Sequence, residues 1–489
     1  MDTSKRSYRQ ILKTTSLFSG VQIAGVLISI AKSKLAAILI GPAGVGIVGV
    51  LNSTLNVISG ITKFGLDVSA VKEIAFFKDK DEQKVERIIL ALRRITWLTG
   101  LLGSVVTIAL SYWLSELVFG NSDYTYSFIL ISVAILFNQL TTGNTAILQG
   151  LRHLKDLAKS AVWASFTSLL VIIPCYYYLG LDGIVPVIIL TSILTFLFSW
   201  YFSKKVKANR PKITCKDSLN DSKEMMKLGI VLSLGGFATI LTTYAIQIFL
   251  TNKAGIDEVG FYNAAFIIVN AYVGVIFIAM SKDYFPRLSA IADESEKMNQ
   301  TVNQQALIAI LLLSPIIIVF IAFAPFLIEL LFSKEFLPIL GIVTFAILAT
   351  IFKAVSWCLG YIIVAKGDSK LFIITEVIFN LLLFVMSIIG YLYGGLKGIG
   401  ISYLIYYIIY LIGVKIIASN KYQFQFNKEL YRVFSICILF CGLAFTATLV
   451  DNVTLRYVFL IVMILLSSIF TLVQLNSKTE FISGFKDRE

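Results

Sequence analysis

Charge is scarce in this chain. Asp, Glu, Lys and Arg make up only 15% of its 489 residues, against about 25% in ordinary globular chains. Histidine occurs once, as His153 beside Arg152 and Lys155. One imidazole with no Cys or carboxylate cluster makes no metal site. The five cysteines are odd in number; four lie inside apolar runs and Cys215 lies in a basic stretch. No disulfide framework follows from that pattern. Cys437 and Cys441 stand four apart and read as small apolar side chains of a helix rather than a metal pair. There is no G-x-x-x-x-G-K-[ST] loop, which excludes ATP as the direct driver, and no G-x-S-x-G elbow. With no catalytic constellation, no catalytic residue and no metal ligand is assigned, and an enzyme is not expected. The alternating segments of a membrane barrel are missing as well. Thr14–Ile40 is too long for a signal h-region, holds Lys32 and Lys34, and lacks an A-x-A-like end, so no cleavable signal is expected.

Apolar residues are abundant instead, at 57% of the chain, with a mean hydropathy of +0.84. Runs of roughly 20 apolar residues recur from end to end, each long enough to cross about 30 Å of hydrocarbon. Fourteen spans are predicted, near 14–40, 46–71, 92–115, 126–149, 160–179, 183–203, 227–251, 259–281, 305–332, 339–365, 371–391, 398–418, 432–450 and 457–475. The net charge of +13 does not signal nucleic acid, because it sits in short loops between spans. On one side of the predicted spans lie 34 of the 42 Lys and Arg, against four on the other. The rich side is read as cytoplasmic, and an even span number puts both termini there. The polar, Lys-rich stretch 204–226 divides the chain. The expected fold is an all-α polytopic membrane protein: a six-helix lobe at 1–203, a basic cytoplasmic linker at 204–226, a second six-helix lobe at 227–418, and two extra helices with a tail at 419–489. A faint repeat links the halves. Val45-Gly46 and Val259-Gly260 each open a helix with an Asn a turn or two in, and matched blocks with substrate between them are a recurring transporter plan.

Ionisable groups inside a bilayer cost about 2.5–3.5 kcal/mol each and normally face an interior or a watery cavity. In the second span Asn52, Asn56, Ser59, Lys63 and Asp67 recur at helical spacing and share one face. Lys63 and Asp67 can pair; the plainer alternative is that they only satisfy each other near the cytoplasmic end. In the first span Gln22, Ser29 and Lys32 share a face, while Lys34 points about 200° away. Lys32 lies roughly 13 Å from the outer end, near the midplane. Asn138, Thr141, Thr145 and Gln149 form a stripe on span four, Thr239, Thr243 and Gln247 on span seven, and Asn263 and Asn270 on span eight. Such groups equally serve as glue between helices. Lys353 lies about 20 Å deep and Glu376, with Asn380, about 9 Å, so a direct salt bridge between them is doubtful. The substrate-cavity candidates are thus Lys32, Lys63, Asp67, Lys353, Asn52, Asn56 and Gln22, with Lys34, Glu376 and Asn270 second. The deepest ionisable groups are lysines, which suits an anionic substrate such as a phosphate or pyrophosphate head group.

Three segments carry a family resemblance over roughly residues 8–420. ILIGPAGVGIVGVLNSTLNVISGITKFG, with its lysine late in the first helix and its G-P-x-G turn, resembles the start of Wzx-type O-antigen flippases of the multidrug/oligosaccharidyl-lipid/polysaccharide exporter superfamily. Asp283-Tyr284-Phe285-Pro286-Arg287-Leu288-Ser289 resembles their Y-x-P-R-L-S segment, and Ala365-Lys366-Gly367-Asp368-Ser369 their short turn after span ten. The resemblance implies two six-helix lobes around a central cavity. It also implies movement of an undecaprenyl-diphosphate-linked oligosaccharide across the bacterial cytoplasmic (inner) membrane by alternating access. No cofactor is expected beyond coupling to a proton or sodium gradient. The expected partners are the lipid-linked glycan, membrane lipids, and polysaccharide polymerase and chain-length machinery. Fourteen spans exceed the twelve of many such flippases and equal the count in lipid II flippases. Two alternatives stay open. A multidrug/cation antiporter of the same fold would want carboxylates in the cavity, and an O-antigen polymerase would want a large external loop.

Overall fold

The computed structural model describes residues 2–78, 80–205 and 215–479. Among them there are helices and turns and no strand. In chain order the helices are α1 (Asp2–Thr62), α2 (Leu66–Phe77), α3 (Glu82–Phe119), α4 (Thr125–Gly150), α5 (Leu154–Leu179), α6 (Ile184–Lys204), α7 (Cys215–Ala254), α8 (Ile256–Ala290), α9 (Ser295–Leu331), α10 (Leu340–Ala365), α11 (Ser369–Tyr422), α12 (Lys428–Ala447) and α13 (Val453–Thr479). Two of these are interrupted. The helical path of α1 breaks at Gly41, with φ 64° and Pro42 next. That of α11 breaks at Gly394 and Gly395, the latter at φ 55°. Glycine is the residue that takes such angles without a Cβ penalty. Ten stretches of the described residues are apolar and long enough to cross a membrane. Two of them, Leu27–Thr62 and Ser369–Tyr422, contain the glycine breaks, and a third, Leu154–Lys204, joins α5 to α6. Dividing these and adding the 35-residue α8 gives the fourteen spans read from the sequence.

One expectation needs correction. The predicted second span, 46–71, is not one helix. It stops at Thr62, Phe64 and Gly65 take left-handed angles of 51° and 65°, and α2 starts at Leu66. The cause lies elsewhere in the chain. A Cβ on Gly65 would stand 2.0 Å from the Gly229 carbonyl oxygen of α7, so the two backbones meet there with no room for a side chain. Beyond the break, α2 buries Leu66, Ala70 and Ile74, spaced by four, against Ile88, Leu92 and Ile95 of α3 and Ile147 of α4.

Contacts divide the chain into two compact units. The first holds residues Met1–Gly260 with Leu331–Ser333; the second holds Phe261–Leu330 and Lys334–Glu489. By this measure α7 groups with the first unit, packing on α1, α2 and α3. In that unit α4 is tied on two sides. Gln139 donates to Thr62 Oγ1 at 3.2 Å. Asn144 donates to Ser199 Oγ at 3.3 Å and accepts from Ser203 Oγ at 2.9 Å, both on α6. Hydrogen bonds of this kind hold helices together where lipid offers no hydrophobic drive. Tyr244 of α7 meets Thr54 of α1, hydroxyl to hydroxyl, at 3.0 Å.

In the second unit α9 is the inner helix, buried along most of its length. Its exposed large side chains, Leu312, Ile316, Val319, Phe323, Phe326 and Leu330, fall three and four apart in one apolar, lipid-suited stripe. The last two helices lie against it. Ser314 bonds Ser467 at 3.1 Å and Thr471 donates to the Leu311 carbonyl at 2.9 Å. Asn303 clamps the connector before α12, donating to the Gln425 carbonyl and accepting from the Asn427 amide, each at 3.0 Å.

Candidate functional site

The first unit carries the polar stripe of α1. Asn52 and Asn56 are exposed, Ser59 and Lys63 half-buried. The opposite face of the helix, with Leu51, Thr54, Leu55, Ile58 and Thr62, is buried. Amides and a charged pair on the open face, with leucine, isoleucine and hydrogen-bonded threonines on the packed one, are the reverse of what lipid contact selects. At the stripe's end the Lys63 ammonium donates to Asp67 Oδ2 at 2.8 Å. Since Asp67 belongs to the first turn of α2, the pair bridges the break between two helices. Lys63 and Asp67 are 25% and 37% exposed, so the charge of this lysine is cancelled locally and in partial contact with solvent. Lys32 is half-buried and has no hydrogen bond or ion pair with a described residue. Lys34 is engaged by neighbouring groups. The side chain of Gln22 lies outside the described residues.

On α4 the polar residues that bond across to other helices are Gln139 and Asn144. The hydroxyls of Thr141 and Thr145, on the predicted stripe, return to carbonyls of their own helix at 2.8 and 3.0 Å. Such back-bonding satisfies a hydroxyl without a partner helix.

The second unit carries Lys353 of α10. Its ammonium lies 5.6 Å from the ring centre of Tyr407 on α11 and 5.8 Å from that of Phe277 on α8. Both are within cation–π reach. Lys353 forms no ion pair with a described residue. Glu376 pairs instead within its own helix, accepting from Asn380 at 3.3 Å. Asn270 is exposed. Around Lys353 and Glu376 stands a feature that the reading of single charged residues misses. Tyr403, Tyr406, Tyr407 and Tyr410 occupy one face of α11, with Tyr406 and Tyr410 stacked at 5.8 Å and Tyr403 edge-on to Tyr407 at 4.9 Å. The signal was present in Ile401–Tyr410, ISYLIYYIIY, as tyrosines at i, i+3, i+4 and i+7. A separate cavity of about 330 Å³ lies between α9, α12 and α13, lined by Gln300, Asn303, Gln304, Asn427 and Glu429. It includes none of the residues predicted from sequence. No group of three or more metal-ligating side chains is found among the described residues.

Residues 11–292 match the family described as polysaccharide biosynthesis protein. The chain belongs to the polysaccharide biosynthesis protein family. A putative O-antigen transporter of Shigella flexneri is 24% identical over 346 residues, 68% of this chain and 79% of that one. The lipid III flippase of Escherichia coli (strain K12) is 22% identical over 391 residues, 79% of this chain and 92% of that one. The fold is shared with an inward-facing multidrug resistance MATE transporter of the MOP superfamily, at a TM-score of 0.68 and 16% identity over 82% of this chain and 94% of the other. It is shared equally with the lipid II flippase MurJ in an inward closed conformation, at 0.67 and 14% over 95% and 99%.

In this member of the polysaccharide biosynthesis protein family the sequence motifs act as structural joints. Tyr284 is fully buried and donates to the Cys358 carbonyl at 2.8 Å, wedged between Trp357 and Tyr361 at 5.7 Å from each. Arg287 donates to Gln305 at 3.0 Å. The Y-x-P-R-L-S segment thereby fastens α8 to α10 and α9. In the turn after α10, Asp368 caps α11 through the Leu371 amide at 3.2 Å and also accepts from Lys421 and the Tyr422 hydroxyl. The Lys421 ammonium, together with the Leu371 amide, holds the Asp368 carboxyl below its ordinary range. The two Val-Gly steps of the faint repeat meet in space. A Cβ on Gly46 would lie 2.2 Å from the Ile256 carbonyl oxygen, and one on Gly260 2.0 Å from the Pro42 carbonyl oxygen.

Proposed function

We propose that this chain is a flippase that moves an undecaprenyl-diphosphate-linked oligosaccharide, the repeat unit of O-antigen or a similar surface polysaccharide, across the bacterial cytoplasmic membrane. On this reading both termini are cytoplasmic and the glycan leaves on the opposite face by alternating access of two six-helix lobes. Energy comes from a proton or sodium gradient, and the product passes to polymerase and chain-length machinery. The observation that carries the reading is the pair of lysines within spans, Lys32 and Lys353, that have no carboxylate partner among the described residues. An ammonium kept in a low-dielectric span without a counter-ion is the group that gains most from an incoming diphosphate. Lys63 plays another part: with Asp67 as its own counter-ion it shapes the hydrated stripe and adds no net charge. The names of the relatives point the same way.

The test is genetic and chemical. Deletion of the gene is expected to leave lipid-linked repeat units in the cytoplasmic leaflet. Unpolymerised units outside would support a polymerase instead, and drug sensitivity with a normal envelope an antiporter. Lys32→Ala and Lys353→Ala variants at normal expression should each fail to restore export. Full export by both would end the diphosphate reading.

A further inference from the structure

The tyrosine face of α11 is more than filling for a membrane core. Tyr403 and Tyr406 are buried, but Tyr407, Tyr410 and Lys353 each keep part of their surface open. A lysine and two tyrosines, each partly open within a span, suit a polar occupant, because lipid tails solvate neither an ammonium nor a phenol. The cation stands 5.6 Å from the Tyr407 ring. Beyond the rings lie an amide and a carboxylate, Asn380 and Glu376: the amide donates to the Glu376 backbone carbonyl at 2.9 Å and to its carboxylate at 3.3 Å, which leaves the amide oxygen and the carboxylate with spare acceptor capacity. Phe379 holds Tyr410 edge-on at 4.5 Å. An aromatic wall with one cation and a few convergent polar groups is a common composition of a ligand site.

Taking the flippase reading above as its basis, we propose that Tyr407 and Tyr410 form a sugar-stacking subsite beside Lys353, which receives the first sugar ring attached to the diphosphate. The chemistry matches group by group. The phosphate next to the sugar takes the ammonium. The pyranose one glycosidic oxygen further on lays its apolar C–H face on Tyr407, since the negative ring face attracts the slightly positive C–H hydrogens. Its hydroxyls reach Glu376 and Asn380. The subsite therefore reads that a sugar is present, in addition to the lipid and the diphosphate.

The test uses the purified full-length protein in lipid nanodiscs and two probes, undecaprenyl diphosphate and undecaprenyl diphosphate carrying one N-acetylhexosamine. Wild type is expected to bind the sugar-bearing probe about tenfold more tightly, the effect of roughly one good aromatic contact. Tyr407→Leu should bring the ratio of the two affinities close to one. Tyr407→Phe should keep the wild-type preference, because stacking needs the ring and not the hydroxyl. Lys353→Ala should weaken both probes alike. Equal binding of the two probes by wild type overturns the subsite without recourse to any variant. So does Tyr407→Leu weakening both probes equally, which is the mark of a packing role. Binding of neither probe by wild type removes the flippase reading itself, and the subsite with it.

Discussion

The crossing of the two Val-Gly steps gives a prediction whose size follows from distances. Alanine at Gly46 places a Cβ 2.2 Å from the Ile256 carbonyl oxygen, and alanine at Gly260 places one 2.0 Å from the Pro42 carbonyl oxygen. Ordinary contact begins at 3.4 Å, and both obstacles are backbone, which no rotamer change can move aside. The start of α8 must therefore retreat from the start of the second half of α1 by about 1 Å, a displacement that forfeits a quarter to a half of the local dispersion energy. Overpacking of this kind costs about 1–3 kcal/mol, and about 2 kcal/mol is expected for either substitution alone. One retreat relieves both clashes. The double variant should therefore cost less than the two singles added, by about 1 kcal/mol. Gly60 supplies the control on the same helix. Its Cβ would meet the edge of the Phe237 ring at 2.8 Å, a side chain that can swing, so Gly60→Ala should cost under about 1 kcal/mol. Unfolding can be followed in detergent with a thiol-reactive dye, since Cys358, Cys437 and Cys441 are buried and react on opening. Strict additivity of Gly46→Ala and Gly260→Ala, or a Gly60→Ala variant as unstable as either, would refute a backbone crossing as the source of the cost.

Other perturbations test other joints. Asn303→Ala removes two hydrogen bonds to the connector before α12 and should cost about 2 kcal/mol, seen as earlier proteolysis between 423 and 428. Lys63→Ala should lower folded yield by leaving the Asp67 carboxylate without its counter-ion. Lys63→Ala with Asp67→Ala should recover it, as size-exclusion profiles would report. Asp368 has a folded-state pKa below its unfolded value, so its contribution to stability is complete at neutral pH and is lost as pH falls through the folded pKa. Thermal unfolding of Asp368→Asn should then resemble wild type at low pH and fall below it near pH 7.

Much of this architecture is legible in the sequence because the membrane simplifies the problem. Every backbone group in hydrocarbon must bond internally, so an apolar run of sufficient length is a helix, and apart from their ends the predicted runs are helical except the second, which is broken at residues 63–65. What was hidden is what distant residues decide. The break at Phe64 and Gly65 depends on Gly229, about 160 residues away in the chain, and no local pattern reveals that approach. On α4 a helical wheel cannot distinguish Gln139 and Asn144, which bond to other helices, from the Asn138 stripe, because the choice rests on where Thr62, Ser199 and Ser203 fall. The tyrosines of α11 carry no charge, so a search for ionisable groups inside the spans passes over their shared face, and what marks it is the position of Lys353 beside Tyr407.

The pair across the helix break also bears on how the chain enters its membrane. Insertion scales charge about 2.5–3.5 kcal/mol for each ionised group presented alone at a span's centre. Lys63 and Asp67 are four residues apart and held at 2.8 Å, so they leave the ribosome within one turn of each other and can enter as a neutral couple. The pair therefore arrives already neutralised, before α7 has been synthesised to impose the break. Biogenesis of the first hairpin then needs no partner from the second half of the chain. A nascent segment ending near residue 80 should integrate on its own, and the Asp67→Asn version of the same segment should integrate less often.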